Sequence, residues 1–262
     1  MTIYFINIVP LVISGQKLRD YDRVVKYIFT QICERQAPNR RCWFMIADTI
    51  HQIQSELGSQ AKLVAVTKTK PVALLQEAYD AGCRLFGENK VQEMADKQPQ
   101  LPVDVQWHLI GHLQTNKVKY IAPFVALIHS VDSLKLLQEI NKQAAKHNRI
   151  IDCLLQIYIA DEETKFGLAP DEAHALLTAP ELDELTHVRI VGLMGLATNT
   201  TDENQVRREF QGLKQLYDTF AQIQRPMIQF CELSMGMSGD YRIAVEEGST
   251  LIRVGSAIFG SR

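Results

Sequence analysis

Short apolar runs alternate with helical patterns along most of the chain, and this alternation is the main structural signal in the sequence. Eight of the runs are too short for helices and are typical of strands that are buried on both faces. These predicted strands are 63–66, 84–87, 105–111, 126–131, 152–159, 188–194, 229–234 and 250–254. Eight strand–helix units predict the α/β class, with a single (β/α)8 TIM barrel rather than an open sheet.

Capping residues support the helices between these strands. The segment 46–57 keeps one face apolar, and Gly58 follows it as a candidate C-cap. Thr201 or Asp202 can cap the long segment 203–223. The first strand is not followed by a GxGxxG motif, which argues against a dinucleotide-binding doubly wound sheet.

The first part of the chain does not share this alternation. We predict that residues 1–44 form a poorly ordered N-terminal extension and that the barrel domain spans 45–262. The apolar run 3–13 is too short to span a bilayer, and its basic neighbours Lys17 and Arg19 follow it, unlike those of a signal peptide. Met45 stands where a shorter chain could begin.

Composition narrows the range of partners. The 262 residues carry a net charge of −2 and 22% charged residues, with no basic stripe that would indicate nucleic acid. The five cysteines are scattered and form no CxxC pair, so neither a disulfide framework nor a metal site is indicated. We therefore expect a cytoplasmic protein that binds a small molecule, and neither nucleic acid nor a membrane.

Two lysines follow the first predicted strand, in the segment Thr67-Lys-Thr-Lys70. The period of two in a strand puts Lys68 and Lys70 on the same face, so parity does not separate them. Desolvation at a barrel mouth lowers the pKa of a lysine and leaves a neutral amine that can form a Schiff base with an aldehyde. The alternative is that both lysines are solvated at a loop entrance.

The loops after the seventh and eighth strands are rich in glycine and serine, as Ser-Met-Gly-Met-Ser-Gly-Asp (234–240) and Gly-Ser-Ala-Ile-Phe-Gly (255–260). These loops often hold phosphate in such barrels, because glycine lets backbone N–H groups approach it closely. Either loop alone could be an ordinary tight turn, but two at these strands predict a phosphate site. Its candidate ligands are Ser234, Gly236, Ser238, Gly255 and Ser256.

Five motifs occur in order between Met45 and the C-terminus. They are Val64–Pro71, Phe86–Asn89 with Val91–Glu93, Trp107–Lys117, Gly192–Met194, and Leu233–Ser238 with Gly248–Thr250 and Arg253–Gly260. Together they resemble the YggS/PROSC family of pyridoxal-phosphate homeostasis proteins. The resemblance implies a barrel similar to the N-terminal domain of alanine racemase, with pyridoxal 5′-phosphate bound covalently to Lys68 as an internal aldimine.

The resemblance also implies roles for two other charged residues. Lys70 matches the second lysine of the family motif and need not touch the cofactor. Arg253 matches the arginine that faces the pyridine nitrogen. Because a guanidinium stays protonated, it can only donate to that nitrogen, which keeps the ring unprotonated and makes it a poor electron sink.

Three further candidates have a structural alternative. Asn89 is expected to bond the lysine or the ring oxygen, or else to cap a helix. His108 is expected to contact the ligand, or else to be a histidine hydrogen-bonded inside the barrel. Met194 is expected to pack near the cofactor, although methionine is more often plain core.

The function implied by the resemblance is intracellular vitamin B6 homeostasis. The protein would hold pyridoxal phosphate without established turnover, with no catalytic residue, and would pass it to PLP-dependent apo-enzymes as a monomer or weak dimer.

Three alternatives stay open. The first is a PLP-dependent amino-acid racemase, but alanine racemase takes a second base from a domain after the barrel, and this sequence ends at Arg262. The second is a Schiff-base aldolase of a sugar phosphate, although such barrels usually carry the lysine on a later strand. The third is a structural or adaptor role, for which the N-terminal extension is the only indication.

Overall fold

A computed structural model of the protein describes residues 40–160 and 167–260. Eight parallel strands form a closed barrel in chain order, and the last strand pairs with the first. The strands are β1 (Lys62–Val66), β2 (Leu85–Glu88), β3 (Gln106–Leu109), β4 (Leu127–Val131), β5 (Ile151–Ile157), β6 (Val188–Gly195), β7 (Ile228–Met237) and β8 (Leu251–Val254). The prediction of a (β/α)8 barrel, and of each strand in it, is confirmed.

Helices follow or precede these strands in the described part of the chain. They are α1 (Arg40–Leu57), α2 (Val72–Asp80), α3 (Val91–Lys97), α4 (Val118–Ile121), α5 (Leu134–Lys146), α6 (Pro170–Thr178), α7 (Glu203–Phe220), α8 (Tyr241–Glu246) and α9 (Ser256–Phe259). The predicted caps are present, since Gly58 adopts a φ of 55° after α1 and the Asp202 carboxylate accepts from Asn204 N at 2.9 Å.

The predicted domain boundary at Met45 lies inside α1, which begins at Arg40. Residues 1–39 lie outside the described residues, so the N-terminal extension and its order stay predictions. In the described ranges, no helix combines the length and the apolar character that crossing a membrane requires.

Apolar side chains pack in two places. The larger core lies between the strands and the surrounding helices, and a smaller cluster comprises Val64, Leu127, Leu154, Val191, Met194 and Leu251. Polar residues from several strands are also fully or almost fully buried, among them His108, His129, Ser234 and Arg253. Buried polar groups need hydrogen-bond partners, so these residues indicate a specific arrangement within the fold.

Candidate functional site

The two lysines after β1 have different surroundings. The strand ends at Val66, and Thr69 adopts a left-handed φ of 62°, so the extended backbone does not continue through this segment. The prediction that both lysines continue one strand face is therefore wrong. Lys70 Nζ donates to the carbonyl oxygens of Phe259 and Gly260, each at 3.0 Å. Lys68 is half-buried and makes no side-chain hydrogen bond or ion pair to any described residue.

A largely buried polar network lies behind this turn. We call it the Lys97 cluster, and its members are Thr67, Thr69, Glu88, Glu93 and Lys97. Lys97 Nζ donates to Thr67 O at 2.8 Å and to one carboxylate oxygen each of Glu88 and Glu93, both at 2.7 Å. Desolvation raises the pKa of the Glu88 carboxyl, although its hydrogen bonds from Lys97 and Thr67 oppose that rise. The cluster therefore connects the ends of β1, β2 and α3.

Arg253 is buried at the end of β8 and is held by two hydrogen bonds. Its Nη1 donates to Ser234 Oγ at 2.5 Å, and its Nη2 donates to Gly195 O at 2.9 Å. Burial lowers the pKa of the Arg253 guanidinium to about 10, so the group is still charged at neutral pH. Its Nε makes no hydrogen bond to the described residues, which leaves an N–H donor for a ligand.

Two histidines extend this arrangement through the barrel. His129 Nδ1 lies 3.0 Å from Ser234 Oγ, and His129 Nε2 lies 2.9 Å from His108 Nδ1. Burial lowers the pKa of His108 to about 3 and the pKa of His129 well below its usual value. Both imidazoles are therefore neutral at physiological pH. Arg253, Ser234, His129 and His108 form what we call the histidine–arginine chain.

His108 is the member of this chain farthest from Arg253. It also lines a cavity of about 140 Å³ together with Lys62, Gln106 and Asp152, which lie near the N-terminal ends of their strands. The structure thus matches the alternative of a histidine hydrogen-bonded inside the barrel. A direct contact of His108 with a ligand stays a prediction.

The loops after β7 and β8 meet at the C-terminal end of the barrel. Ser238 Oγ accepts from the backbone N–H groups of Gly255 and Ala257, at 3.2 and 3.5 Å. Ser256 is exposed and begins α9 beside them. An oxygen atom thus already lies against backbone donors that a phosphate oxygen could use.

Close packing favours glycine at two positions near the ends of β7 and β8. Gly236 has a φ of 94°, and a Cβ there would lie 2.6 Å from Ala244 Cβ. A Cβ on Gly255 would lie 3.1 Å from Val66 O, so this loop packs against the end of β1. The two glycines therefore allow the close approach that brings the serine-rich loops beside the lysine turn.

The remaining predicted site residues fall into different settings. Ser234, predicted as a phosphate ligand, directs its hydroxyl to Arg253 and His129. Asn89 does not cap α3, since Lys90 holds the cap position, and its half-buried side chain has no hydrogen bond to described residues. Met194 is 1% exposed and packs in the smaller apolar cluster. Their contacts with a ligand stay predictions.

Three functional candidates were missed by the sequence reasoning, namely His129, Glu88 and Lys97. His129 lies in a predicted strand whose other residues are mostly apolar, and a polar residue there is a usable signal of a buried network. Glu88 lies in a quoted motif but was assigned no role. Lys97 is at the end of a helix, where a lysine is ordinarily exposed to solvent. The sequence therefore did not indicate that its side chain is buried.

These groups fit pyridoxal 5′-phosphate, which carries an aldehyde, a ring nitrogen and a phosphate. Lys68 provides an amine that has no partner in the described ranges. Arg253 provides a buried donor with a spare N–H, and the loops after β7 and β8 provide backbone donors held next to a hydroxyl oxygen. All lie at or near the C-terminal ends of strands, where the ligand sites of such barrels lie.

Comparison with known proteins gives concordant matches. The family described as "Alanine racemase, N-terminal domain" matches residues 45–262. The pyridoxal phosphate homeostasis protein of Aquifex aeolicus (strain VF5) is 41% identical over 204 residues, which cover 77% of this chain and 87% of that protein. The structure of PipY from Synechococcus elongatus PCC7942 with PLP bound has 38% identity and a TM-score of 0.74, and covers 82% of this chain and 100% of that chain.

A more distant structure shows the fold alone. Alanine racemase from Bartonella henselae, solved with covalently bound pyridoxal phosphate, is 17% identical, with a TM-score of 0.63. The match covers 84% of this chain and 61% of that chain. The likeness confirms a barrel of the alanine racemase N-terminal type.

Proposed function

Since the chain belongs to the alanine racemase N-terminal domain family and, within it, to the pyridoxal phosphate homeostasis proteins, we propose that it binds pyridoxal 5′-phosphate and serves vitamin B6 homeostasis. The observation that carries the proposal is Lys68 at the barrel mouth, which makes no side-chain bond to the described residues, in a chain that matches the whole of PipY, a protein solved with PLP bound. The matched residues include every strand of the barrel.

The finer part of the proposal is a covalent bond between the cofactor and Lys68. Bound pyridoxal phosphate supplies an aldehyde that condenses with amines and a ring that withdraws electrons. Lys70 is a poorer attachment site, because its ammonium is held by two backbone carbonyls. Lys68 has no such bonds to give up, which supports it as the attachment residue.

Arg253 would donate to the ring nitrogen, and the backbone N–H groups of Gly255 and Ala257, with Ser238 and Ser256, would hold the phosphate. The bonds from Arg253 to Ser234 and Gly195 fix the guanidinium in place before any ligand arrives. Asn89 is the unpartnered amide nearest in sequence to the end of β2 and would bond the lysine or the ring oxygen.

We propose further that the protein holds and passes on the cofactor without turnover of its own. A charged guanidinium can only donate a hydrogen bond, so it favours a ring nitrogen that carries no proton. A ring with an unprotonated nitrogen is a weaker electron sink. The imidazoles of His129 and His108 are neutral, so Arg253 is the one cation of the histidine–arginine chain. PLP-dependent apo-enzymes as recipients, a cytoplasmic location and a monomeric or weakly dimeric state stay predictions.

Absorption spectroscopy with borohydride reduction tests the proposal. Wild-type protein incubated with pyridoxal phosphate should gain a visible band, and reduction should fix the cofactor mass to the peptide containing Lys68. Lys68→Ala should lose the band and the label, whereas Lys70→Ala, the matched control two residues away, should keep both. A colourless wild-type protein, or a label on Lys70, would contradict the proposal.

The same preparations separate the alternatives. A racemase would exchange the α-proton of an amino acid with solvent deuterium at an enzyme-like rate and interconvert its enantiomers. An aldolase would cleave a sugar phosphate, and borohydride reduction would trap that sugar phosphate on Lys68. Neither reaction is expected.

A further inference from the structure

The turn that carries Lys68 is anchored on both of its sides. Before the lysine, Thr67 uses its carbonyl oxygen to accept from Lys97 Nζ at 2.8 Å and its hydroxyl to donate to Glu88 Oε1 at 2.6 Å. After the lysine, the Thr69 backbone N–H donates to Glu93 Oε1 at 2.5 Å. Lys68 lies between two residues that are held, while its own side chain is not.

One ammonium group joins the two anchors. Lys97 Nζ contacts Thr67 O directly and reaches the Thr69 side through Glu93, which accepts from both Lys97 and Thr69. Lys97 is the last residue of α3 and is 7% exposed, and Glu88 at the end of β2 is fully buried. Such charge-assisted bonds are the stronger hydrogen bonds in proteins, so the cluster constrains the turn firmly.

The backbone of the turn needs this constraint. Thr69 is β-branched and left-handed, a combination that is disfavoured in isolation and persists only where the surroundings impose it. The left-handed residue lies between Lys68 and Lys70, where it redirects the backbone from the end of β1 toward the carbonyls that bind Lys70. The conformation of Thr69 thus separates the two lysines.

The cluster also contains a buried oxygen that the described residues leave without a hydrogen bond. This atom is Glu88 Oε2. Two carboxyl groups, those of Glu88 and Glu93, contact the one ammonium of Lys97. Buried oxygens of this kind are uncommon in native folds.

We propose that Lys97, Glu88 and Glu93 are positioning residues for Lys68. They hold the left-handed turn that keeps the Lys68 amine, at the barrel mouth, clear of bonds to the part of the chain that the structure describes, and that turns Lys70 away from it. This inference rests on the proposed function in one respect only, that Lys68 is the residue that bonds pyridoxal phosphate. The constraint on the turn itself is a property of the protein without ligand.

Two variants of Glu93 give the sharpest test, because they separate the loss of the hydrogen-bond acceptor from the loss of the negative charge. Glu93→Gln keeps an oxygen that can accept from Thr69 N and Lys97, whereas Glu93→Leu removes the acceptor at similar size. In Glu93→Leu, amide hydrogen exchange at Thr69 in the ligand-free protein should be at least about tenfold faster, and pyridoxal phosphate should bind at least about tenfold more weakly. Glu93→Gln should stay within about threefold of wild type in both measurements.

A second pair of variants tests the ammonium group. Lys97→Met alone would leave Glu88 buried without its counter-charge, so the double variant Glu88→Gln/Lys97→Met is used to keep the protein folded. It should expose the Thr67–Thr69 turn to faster exchange and shift part of the borohydride label from Lys68 to Lys70. The matched control is Asp218→Asn/Lys214→Met, which removes an exposed lysine–carboxylate pair on α7 and should change neither readout.

A change in stability alone would not redistribute the label between two neighbouring lysines, so this readout separates positioning from general support. The proposal is overturned if folded Glu93→Leu matches wild type in exchange and affinity, or if Glu93→Gln is as impaired as Glu93→Leu. It is also overturned if the double variant labels only Lys68 with wild-type affinity. If wild-type protein binds no pyridoxal phosphate, the proposed function fails, while the exchange measurements still test the constraint on the turn.

Discussion

The Lys97 cluster and the histidine–arginine chain are both polar and largely buried, but they differ in their ionisable groups. The Lys97 cluster has two carboxylates and one ammonium, and it bonds mainly to backbone groups of the lysine turn. The histidine–arginine chain has one guanidinium and two neutral imidazoles, and only the Coulombic effect of Asp240 raises the pKa of Arg253. The first region shapes the backbone of the lysine turn, and the second holds a buried guanidinium.

This difference explains why the two regions suit different ends of one ligand. The carboxyl groups of the Lys97 cluster favour a positively charged nitrogen on the Lys68 side, whereas the Arg253 guanidinium favours an acceptor on the other. Burial costs are reduced in both places because each side chain makes hydrogen bonds, although Glu88 Oε2 and Arg253 Nε have none to the described residues.

The largest expected effect comes from breaking the Lys97 cluster by one partner. Lys97→Met leaves Glu88 buried without a counter-charge, so the free energy of unfolding should fall by about 3–5 kcal/mol. Urea unfolding at neutral pH measures this. The Glu88→Gln/Lys97→Met variant should recover most of the loss, and a double variant as unstable as the single one would contradict the charge argument.

A smaller effect is expected from the cation of the other region. Arg253→Met removes a buried charge along with its desolvation cost, and leaves Gly195 O and Ser234 each with one hydrogen bond fewer. The free energy of unfolding should fall by about 2 kcal/mol, as for unpaired buried polar groups. A loss larger than that of Lys97→Met, in the same urea titration, would reverse the comparison.

The imidazoles should make the second region sensitive to acid. The pKa of His108 is about 3 in the folded protein against 6.5 ordinarily, so the unfolded chain binds more protons between these values. The contribution of neutral His108 to the free energy of unfolding is therefore fully present above pH 6.5. It is lost as pH falls below that value, by up to about 1.4 kcal/mol per pH unit.

His108→Gln tests this linkage, since glutamine does not titrate. The slope of unfolding free energy against pH should flatten between pH 6.5 and pH 5 relative to wild type. The raised pKa of Glu88 acts in the opposite sense, because its ionised form is disfavoured by burial, so Glu88→Gln should not flatten this slope. Unchanged slopes in His108→Gln would show that the imidazole is not held neutral.

The smallest effect is expected where a lysine–carboxylate pair is exposed. Lys214 and Asp218 lie one turn apart on α7, and their side chains are 37% and 58% exposed. Lys214→Met should cost no more than about 0.5 kcal/mol, the usual contribution of such pairs. A larger loss in urea unfolding would show that burial is not what distinguishes Lys97.

Much of the fold could be predicted because the strands and helices follow from local patterns of apolar and capping residues. The apolar runs specified β1 to β8, and Asp202 and Gly58 marked the ends of their helices. The glycines of the last two loops were also predictable, since close backbone approach favours glycine wherever it occurs. Alternation of this kind depends only on neighbours along the chain.

The details of the candidate site were harder to predict. Strand parity put Lys68 and Lys70 together, and the left-handed Thr69 separates them. Ser234 was predicted to bind phosphate with the other serines of these loops. Its hydroxyl oxygen instead accepts a hydrogen bond from Arg253 and lies beside His129. In each case the deciding contact comes from another strand or helix, which a local pattern does not specify.

The sequence by itself determined the order of the elements, the barrel, and the residue types of the candidate site. Only the tertiary structure decided which lysine makes no side-chain hydrogen bond to the described residues, and which residues support it. The physical reason is that pairing of β1 with β2, together with packing of α3 beside β2, brings Lys97, Glu88 and Thr67 within hydrogen-bond distance. Their bonds form only once strand register and helix packing are complete, and so they are properties of the fold rather than of any segment.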